Sequence, residues 1–196
     1  LRRQRQMCIR DRAIYGRHSD ALIPVIAANS PSDCFETAIE AIQIALMYST
    51  PIILLSDLYL ANGAEPWKVP SVDSYPEVNI QFAEEGKPYS TFKRDPETLS
   101  RTLAIPGQAG LEHRIGGLEK DEGGNVSYDQ DNHEQMTLLR SEKINRIADS
   151  IPPTEIFGEN TGKVLVVGWG GTFGAITSCV RSMQAEGFSV SSIHLR

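Results

Sequence analysis

Two short apolar runs separated by one amphipathic stretch constrain this chain more than any other feature. Leu22-Ile23-Pro24-Val25-Ile26-Ala27-Ala28 and Pro51-Ile52-Ile53-Leu54-Leu55-Ser56-Asp57 show no polar alternation. That is the pattern of strands covered on both faces of a parallel sheet. Pro24 stands near the start of the first run, where its missing N–H does least harm. Between the runs, Ser30-Pro31-Ser32-Asp33 supplies an N-cap, a first-turn proline and an early acid, and Phe35, Ala38, Ile39, Ile42, Ala45 and Leu46 then recur at helical spacing up to Tyr48. A strand, a helix and a second parallel strand require a crossover, which the twist of strands makes right-handed in nearly all cases. The expected fold is α/β.

A second unit of the same kind closes the sequence. Lys163-Val164-Leu165-Val166-Val167 reads as a buried strand, Gly168-Trp169-Gly170-Gly171-Thr172-Phe173-Gly174 as a glycine turn, residues 175–186 as a helix and Val190–Leu195 as the next strand. Residues 62–132 differ from both units. Pro66, Pro70, Pro76, Pro88, Pro96 and Pro106 interrupt them, glycines recur and periodicity is lost. So long an irregular stretch is unusual inside one compact domain, so it reads as a connecting arm laid over a neighbour. Trp67, Tyr75, Phe82, Tyr89 and Phe92 would be its anchors. A helix opens at Asp131, carries Met136, Leu139, Ile144 and Ile147 as its apolar stripe, and stops at Pro152-Pro153.

Charge bounds the partners. The 196 residues carry a formal −6, and no apolar run approaches the ~20 residues of a membrane-spanning helix, so neither nucleic acid nor a membrane is expected as a partner. Residues 1–12 hold five arginines against Asp11, which leaves the other 184 residues at −10. Arg10 interrupts the apolar stretch that a secretory signal would need. The string Met7-Cys8-Ile9-Arg10-Asp11-Arg12 resembles the translation of a transposon-end oligonucleotide used in sequencing libraries, and residues 1–12 are set apart as a non-native leader. Cys34 and Cys179 stand 145 positions apart without CxxC or zinc-ligand spacing, which points to a reducing, cytoplasmic setting.

Four places carry candidate chemistry. The 168–174 turn follows a strand and opens a helix, as phosphate-binding turns do, but Phe173 stands where the G-x-G-x-x-G fingerprint needs glycine. It is either a nucleotide turn or a tight strand-to-helix connection. Arg17 and His18 precede the first strand. An arginine fork matches a carboxylate and a histidine moves protons near neutrality, so the pair suits an anionic organic acid, with a solvated loop as the alternative. His113 beside Glu112 and His133 beside Glu134 are metal-ligand types without HExxH spacing, so no metal site is expected. Asp57 lies at the C-terminal end of a parallel strand, where α/β sheets place their sites, and a capped turn would explain it equally.

Six segments in register resemble the α subunit of 2-oxoacid:ferredoxin oxidoreductases, of the 2-oxoglutarate type (2-oxoglutarate synthase). They are GRHSD at 16–20, SPSDCFETAIEA at 30–41, PIILLSD-YLANGAEPW across 51–67, PGQAGLEHRIGG at 106–117, DNHEQM at 131–136 and GWGGTFG at 168–174. Ser19 and Leu58 depart from the glycines usual in that family. The resemblance implies oxidative decarboxylation of a 2-oxoacid to acyl-CoA on thiamine diphosphate, with electrons passed through iron–sulfur clusters to ferredoxin. It implies parts of two parallel-sheet domains: residues 13–61 end a thiamine-pyrimidine-type domain, 62–161 form the arm with one helix, and 162–196 begin a transketolase C-terminal-like domain. It also implies an internal fragment, inactive by itself. A β subunit would hold the diphosphate, its Mg²⁺ and a cluster, and this fragment alone would bind none of them. The pyrimidine-contacting glutamate and main substrate arginine would lie upstream of residue 13, leaving Arg17 and His18 as the site candidates here. Read without the resemblance, the chain could equally be a nucleotide-binding α/β module or a non-catalytic assembly subunit.

Overall fold

The computed structural model describes residues 9–16, 22–75, 77–78 and 80–196. Helix α1 spans Ile9–Tyr15, so regular structure begins ahead of the boundary drawn after residue 12. Strand β1 (Val25–Ala27), helix α2 (Asp33–Met47) and strand β2 (Ile53–Leu55) follow. The two strands are parallel, with Val25 opposite Ile53 and Ala27 opposite Leu55. Helix α3 (Leu58–Asn62) comes directly after β2, and the arm then runs to helix α4 (Gln130–Ser150). Strands β3 (Ile156–Phe157) and β4 (Val164–Trp169), helix α5 (Phe173–Ala185) and strand β5 (Val190–Leu195) complete the chain. Their sheet has the order β3-β5-β4, in which β4 and β5 are parallel and β3 is antiparallel to β5.

Two small apolar clusters hold these elements. Ala13 of α1, Ala27 and Leu55 are buried together, with Val25, Ile53 and Trp169 packed against them. Ile44 and Tyr48 of α2 meet Ile147 and Ile144 of α4, with Ile52 beside them. The Ile144 and Ile147 part of the stripe expected on α4 therefore faces α2. Asp129 starts α4 by accepting the Asn132 N–H at 2.9 Å, two residues earlier than the sequence suggests. Helix α2 begins at Asp33, later than expected, and Ser30 caps from outside by accepting the Asp33 N–H at 3.3 Å.

The expectation that the strands over 22–28 and 51–57 are covered on both faces, and that over 163–167 buried, does not hold throughout among the described residues. Val164, Leu165 and Val167 of β4 are 54%, 53% and 57% exposed, Leu165 and Val167 on one face and Val164 on the other, and among the described residues β4 pairs with β5 alone. Leu54 of β2 is 42% exposed, and the first sheet has only two strands here. The arm is irregular as expected, yet two of its aromatics anchor it to α2. Trp67 and Tyr75 stack on Phe35 with ring centroids 5.4 and 5.9 Å away, and the Tyr75 hydroxyl donates to Glu36 at 2.6 Å. Among the described residues no helix is long and apolar enough to cross a membrane.

Candidate functional site

The C-terminal edge of the first sheet meets the glycine turn of the second unit. Asp57, two residues beyond β2, uses both carboxylate oxygens. Oδ1 accepts the Leu60 N–H at 3.0 Å and caps α3, while Oδ2 accepts the Gly171 N–H at 2.6 Å. Gly170 has φ +62, a left-handed conformation that favours glycine. A Cβ added at Gly171 would stand 2.8 Å from both Asp57 oxygens, and one at Gly170 would stand 3.0 Å from Oδ2. The glycines are thus explained by close approach of a carboxylate from the same chain.

His194 of β5 backs the turn. Its Nε2–H donates to the Gly170 carbonyl at 2.9 Å, its Nδ1 is buried without a partner, and its ring meets Phe173 edge-on with centroids 5.1 Å apart. Burial lowers its pKa, outweighing the Gly170 hydrogen bond and the charge of Asp33, so the neutral Nε2–H tautomer fits the geometry. On the other side, Arg196 Nη2 reaches Asp33 Oδ1 at 2.9 Å, Thr37 Oγ1 at 3.0 Å and Glu40 Oε2 at 3.2 Å. Trp169 packs into the first apolar cluster with the Arg10 guanidinium 5.9 Å from its ring centre. Among the described residues the two units are therefore joined at Trp169, at the Asp57–Gly171 hydrogen bond and at Arg196.

The electrostatics of this junction are acidic. Burial raises the pKa of Cys34, and Asp33, Asp57 and Glu65 raise it further, which keeps the side chain a thiol and disqualifies it as a nucleophile at neutral pH. Glu65 accepts from the Ser32 N–H and from the Ser30 hydroxyl, bonds that lower its pKa. An anionic phosphate at this turn would meet the Asp57 carboxylate, and the N–H that would receive it is already engaged. The diphosphate end of thiamine diphosphate does not fit here.

Arg17 and His18 lie outside the described residues. His113 donates from Nδ1 to the Leu111 carbonyl at 2.7 Å, and His133 Nδ1 stands 2.8 Å from Glu119 Oε1 rather than working with its neighbour Glu134. Among the described residues no three His, Cys, Asp or Glu side chains are grouped to hold a metal ion. Sequence reasoning missed His194 and Arg196 because neither belongs to a motif, and only the fold places His194 beside the turn and Arg196 against α2.

Residues 6–130 match the family described as pyruvate flavodoxin/ferredoxin oxidoreductase, thiamine diphosphate-binding, and the chain belongs to that family. Within it, this chain is 46% identical over 187 residues to the 2-oxoglutarate oxidoreductase subunit KorA of Mycobacterium tuberculosis, covering 94% of this chain and 28% of the relative. It is 27% identical over 186 residues to the 2-oxoglutarate synthase subunit KorA of Archaeoglobus fulgidus, covering 93% of this chain and 45% of that protein. Among solved structures, the 2-oxoglutarate:ferredoxin oxidoreductase from Magnetococcus marinus, with 2-oxoglutarate, coenzyme A and succinyl-CoA bound, superposes with a TM-score of 0.86 at 28% identity. That match covers 93% of this chain and 32% of the other. The chain thus spans between about a quarter and a half of the length of these relatives.

Proposed function

We propose that this chain is part of the α subunit of a 2-oxoacid:ferredoxin oxidoreductase acting on 2-oxoglutarate. The reaction is oxidative decarboxylation to the acyl-CoA, with the electrons passed to ferredoxin. The observation that carries this reading is the 46% identity to a 2-oxoglutarate oxidoreductase subunit, sustained over nearly the whole chain and across both units. In this reading residues 13–61 finish a thiamine-pyrimidine-type domain, 62–161 are the arm, and 162–196 open a transketolase C-terminal-like domain. Thiamine diphosphate supplies the carbanion chemistry when bound.

What this chain contributes is the seam between the domains. Asp57 and the Gly170–Gly171 turn hold the strand ends of one unit against the other, and Arg17 and His18 are the candidates for substrate-side contact. The acidic junction supports assigning the diphosphate and its Mg²⁺ to a β subunit, which would also hold the iron–sulfur cluster. Ferredoxin and coenzyme A act through that assembly, in the cytoplasm. The nucleotide-binding alternative is disfavoured by the Asp57 carboxylate on the turn.

Isolation of the tagged full-length subunit from its own cells, without oxygen, tests the assignment. A second subunit bearing an iron–sulfur cluster should co-purify in equal amount. Recovery of the subunit without any cluster-bearing partner would contradict the proposal.

A further inference from the structure

At the opposite edge of the first sheet from Asp57 lies a 460 Å³ cavity, bounded by the residues that precede β1 and β2 and by one face of α4. Five cations line it, Arg94, Arg101, Lys120, Arg140 and Lys143, against the single acid Glu119. Glu119 is already committed to Arg140 at 2.9 Å and to His133 at 2.8 Å. Lys120 donates to the carbonyls of Gly116 and Leu118 at 2.8 and 2.6 Å. Among the described residues, Arg94, Arg101 and Lys143 have no ion-pair partner. Arg94 donates from Nη2 to Met136 Sδ at 3.3 Å, and its Nη1 is buried with no hydrogen-bond partner. Arg101 lies over the Phe92 ring at 5.0 Å.

Three half-buried cations with no ion-pair partner among the described residues are a costly arrangement, since desolvation and mutual repulsion act in the same direction. Both effects register here. Burial, with Arg101 and Arg94 adding, lowers the Lys143 pKa to about 8. Burial also lowers that of Arg94, with Glu122 opposing and Arg101 and Arg140 adding. One carboxylate would cancel a single charge, whereas a phosphate carries about −1.5 to −2 on one group and offers several oxygens to two guanidinium forks. The aliphatic side chains of Leu139 and Ile144 provide an apolar wall beside them.

We propose that this cavity is a binding site for a phosphate group, held by Arg94, Arg101 and Lys143, at the end of the sheet away from the glycine turn. The site is independent of which 2-oxoacid the enzyme uses, and of whether the reaction assignment holds.

Titration calorimetry on the assembled full-length protein, at matched ionic strength, tests it with two probes. Inorganic phosphate represents the free ion and phenyl phosphate a phosphate ester with an apolar remainder. Saturable binding of at least one probe is expected, weakened roughly tenfold or more in Arg101→Gln or Lys143→Gln, since each removes a charge-assisted contact. At about pH 8.5 binding to the unaltered protein should also draw a proton onto Lys143, so the heat should change with the ionisation enthalpy of the buffer. That second readout applies even where a variant fails to assemble. Binding of neither probe, as an acidic partner segment filling the cavity would cause, would overturn the proposal. So would binding that neither variant weakens, or binding without proton uptake.

Discussion

The Gly171 N–H donates to Asp57 Oδ2 across 2.6 Å, joining positions 114 residues apart. The same carboxylate caps α3 through Leu60, so one side chain fixes both the exit of β2 and the entry to α5. Asp57→Ala should remove a cap worth about 0.5–2 kcal/mol. It should also leave the Gly171 N–H unpaired, a further loss of about 1–3 kcal/mol where that group stays dry. Asp57→Asn keeps one carbonyl oxygen and should lose about half as much. Urea midpoints of the full-length subunit measure both, and an unchanged midpoint for Asp57→Ala would show that the contact contributes nothing.

The same geometry governs nucleotide binding. A dinucleotide phosphate would have to displace Asp57 from Gly171 and pass Phe173, so NAD⁺ should not bind at the turn. Titration of the full-length protein should show no saturable signal. Micromolar NAD⁺ binding that disappears in Gly170→Val would contradict this account of the turn.

Much of this arrangement is legible in the sequence, and the parts that are not share a cause. The apolar runs at 22–28, 51–57 and 163–167 contain β1, β2 and β4, whereas β5, with two serines and a histidine, is legible only from its place after the helix. The Phe173 mismatch marks the glycine turn as something other than a dinucleotide loop. The partner of that turn is not visible, because Asp57 reads only as a strand-end acid until the end of β2 meets the turn after β4. Strand β3, two residues long, is too short to show a period. Hydrophobic patterning also says that β4 wants cover and does not say which chain supplies it.

His194 sets a pH dependence with a definite sign. Its native pKa lies below the ordinary 6.5, so the unfolded state takes up a proton more readily than the folded state. The stability contributed by neutral His194 is therefore fully present above 6.5 and is lost as the pH falls through the lowered native value. Urea midpoints between pH 8 and about pH 5 should fall less steeply in His194→Gln than in the unaltered protein. Parallel curves would remove His194 from the account.

Arg17 should act on substrate rather than on the fold. In the assembled enzyme Arg17→Ala should raise KM for the 2-oxoacid, with a lost carboxylate contact worth about 1.5–3 kcal/mol in kcat/KM. An unchanged kcat/KM would make the loop a structural connection only.

This chain is proposed to belong to an enzyme that oxidises 2-oxoglutarate and reduces ferredoxin. The most direct test is the rate of ferredoxin reduction by the purified, oxygen-free complex of the full-length subunit and its partner, with coenzyme A and either 2-oxoglutarate or pyruvate. The account predicts reduction that requires both coenzyme A and a 2-oxoacid, and that is faster with 2-oxoglutarate. Reduction with pyruvate alone, or none with either acid in a complex that carries its thiamine diphosphate and clusters, would contradict it.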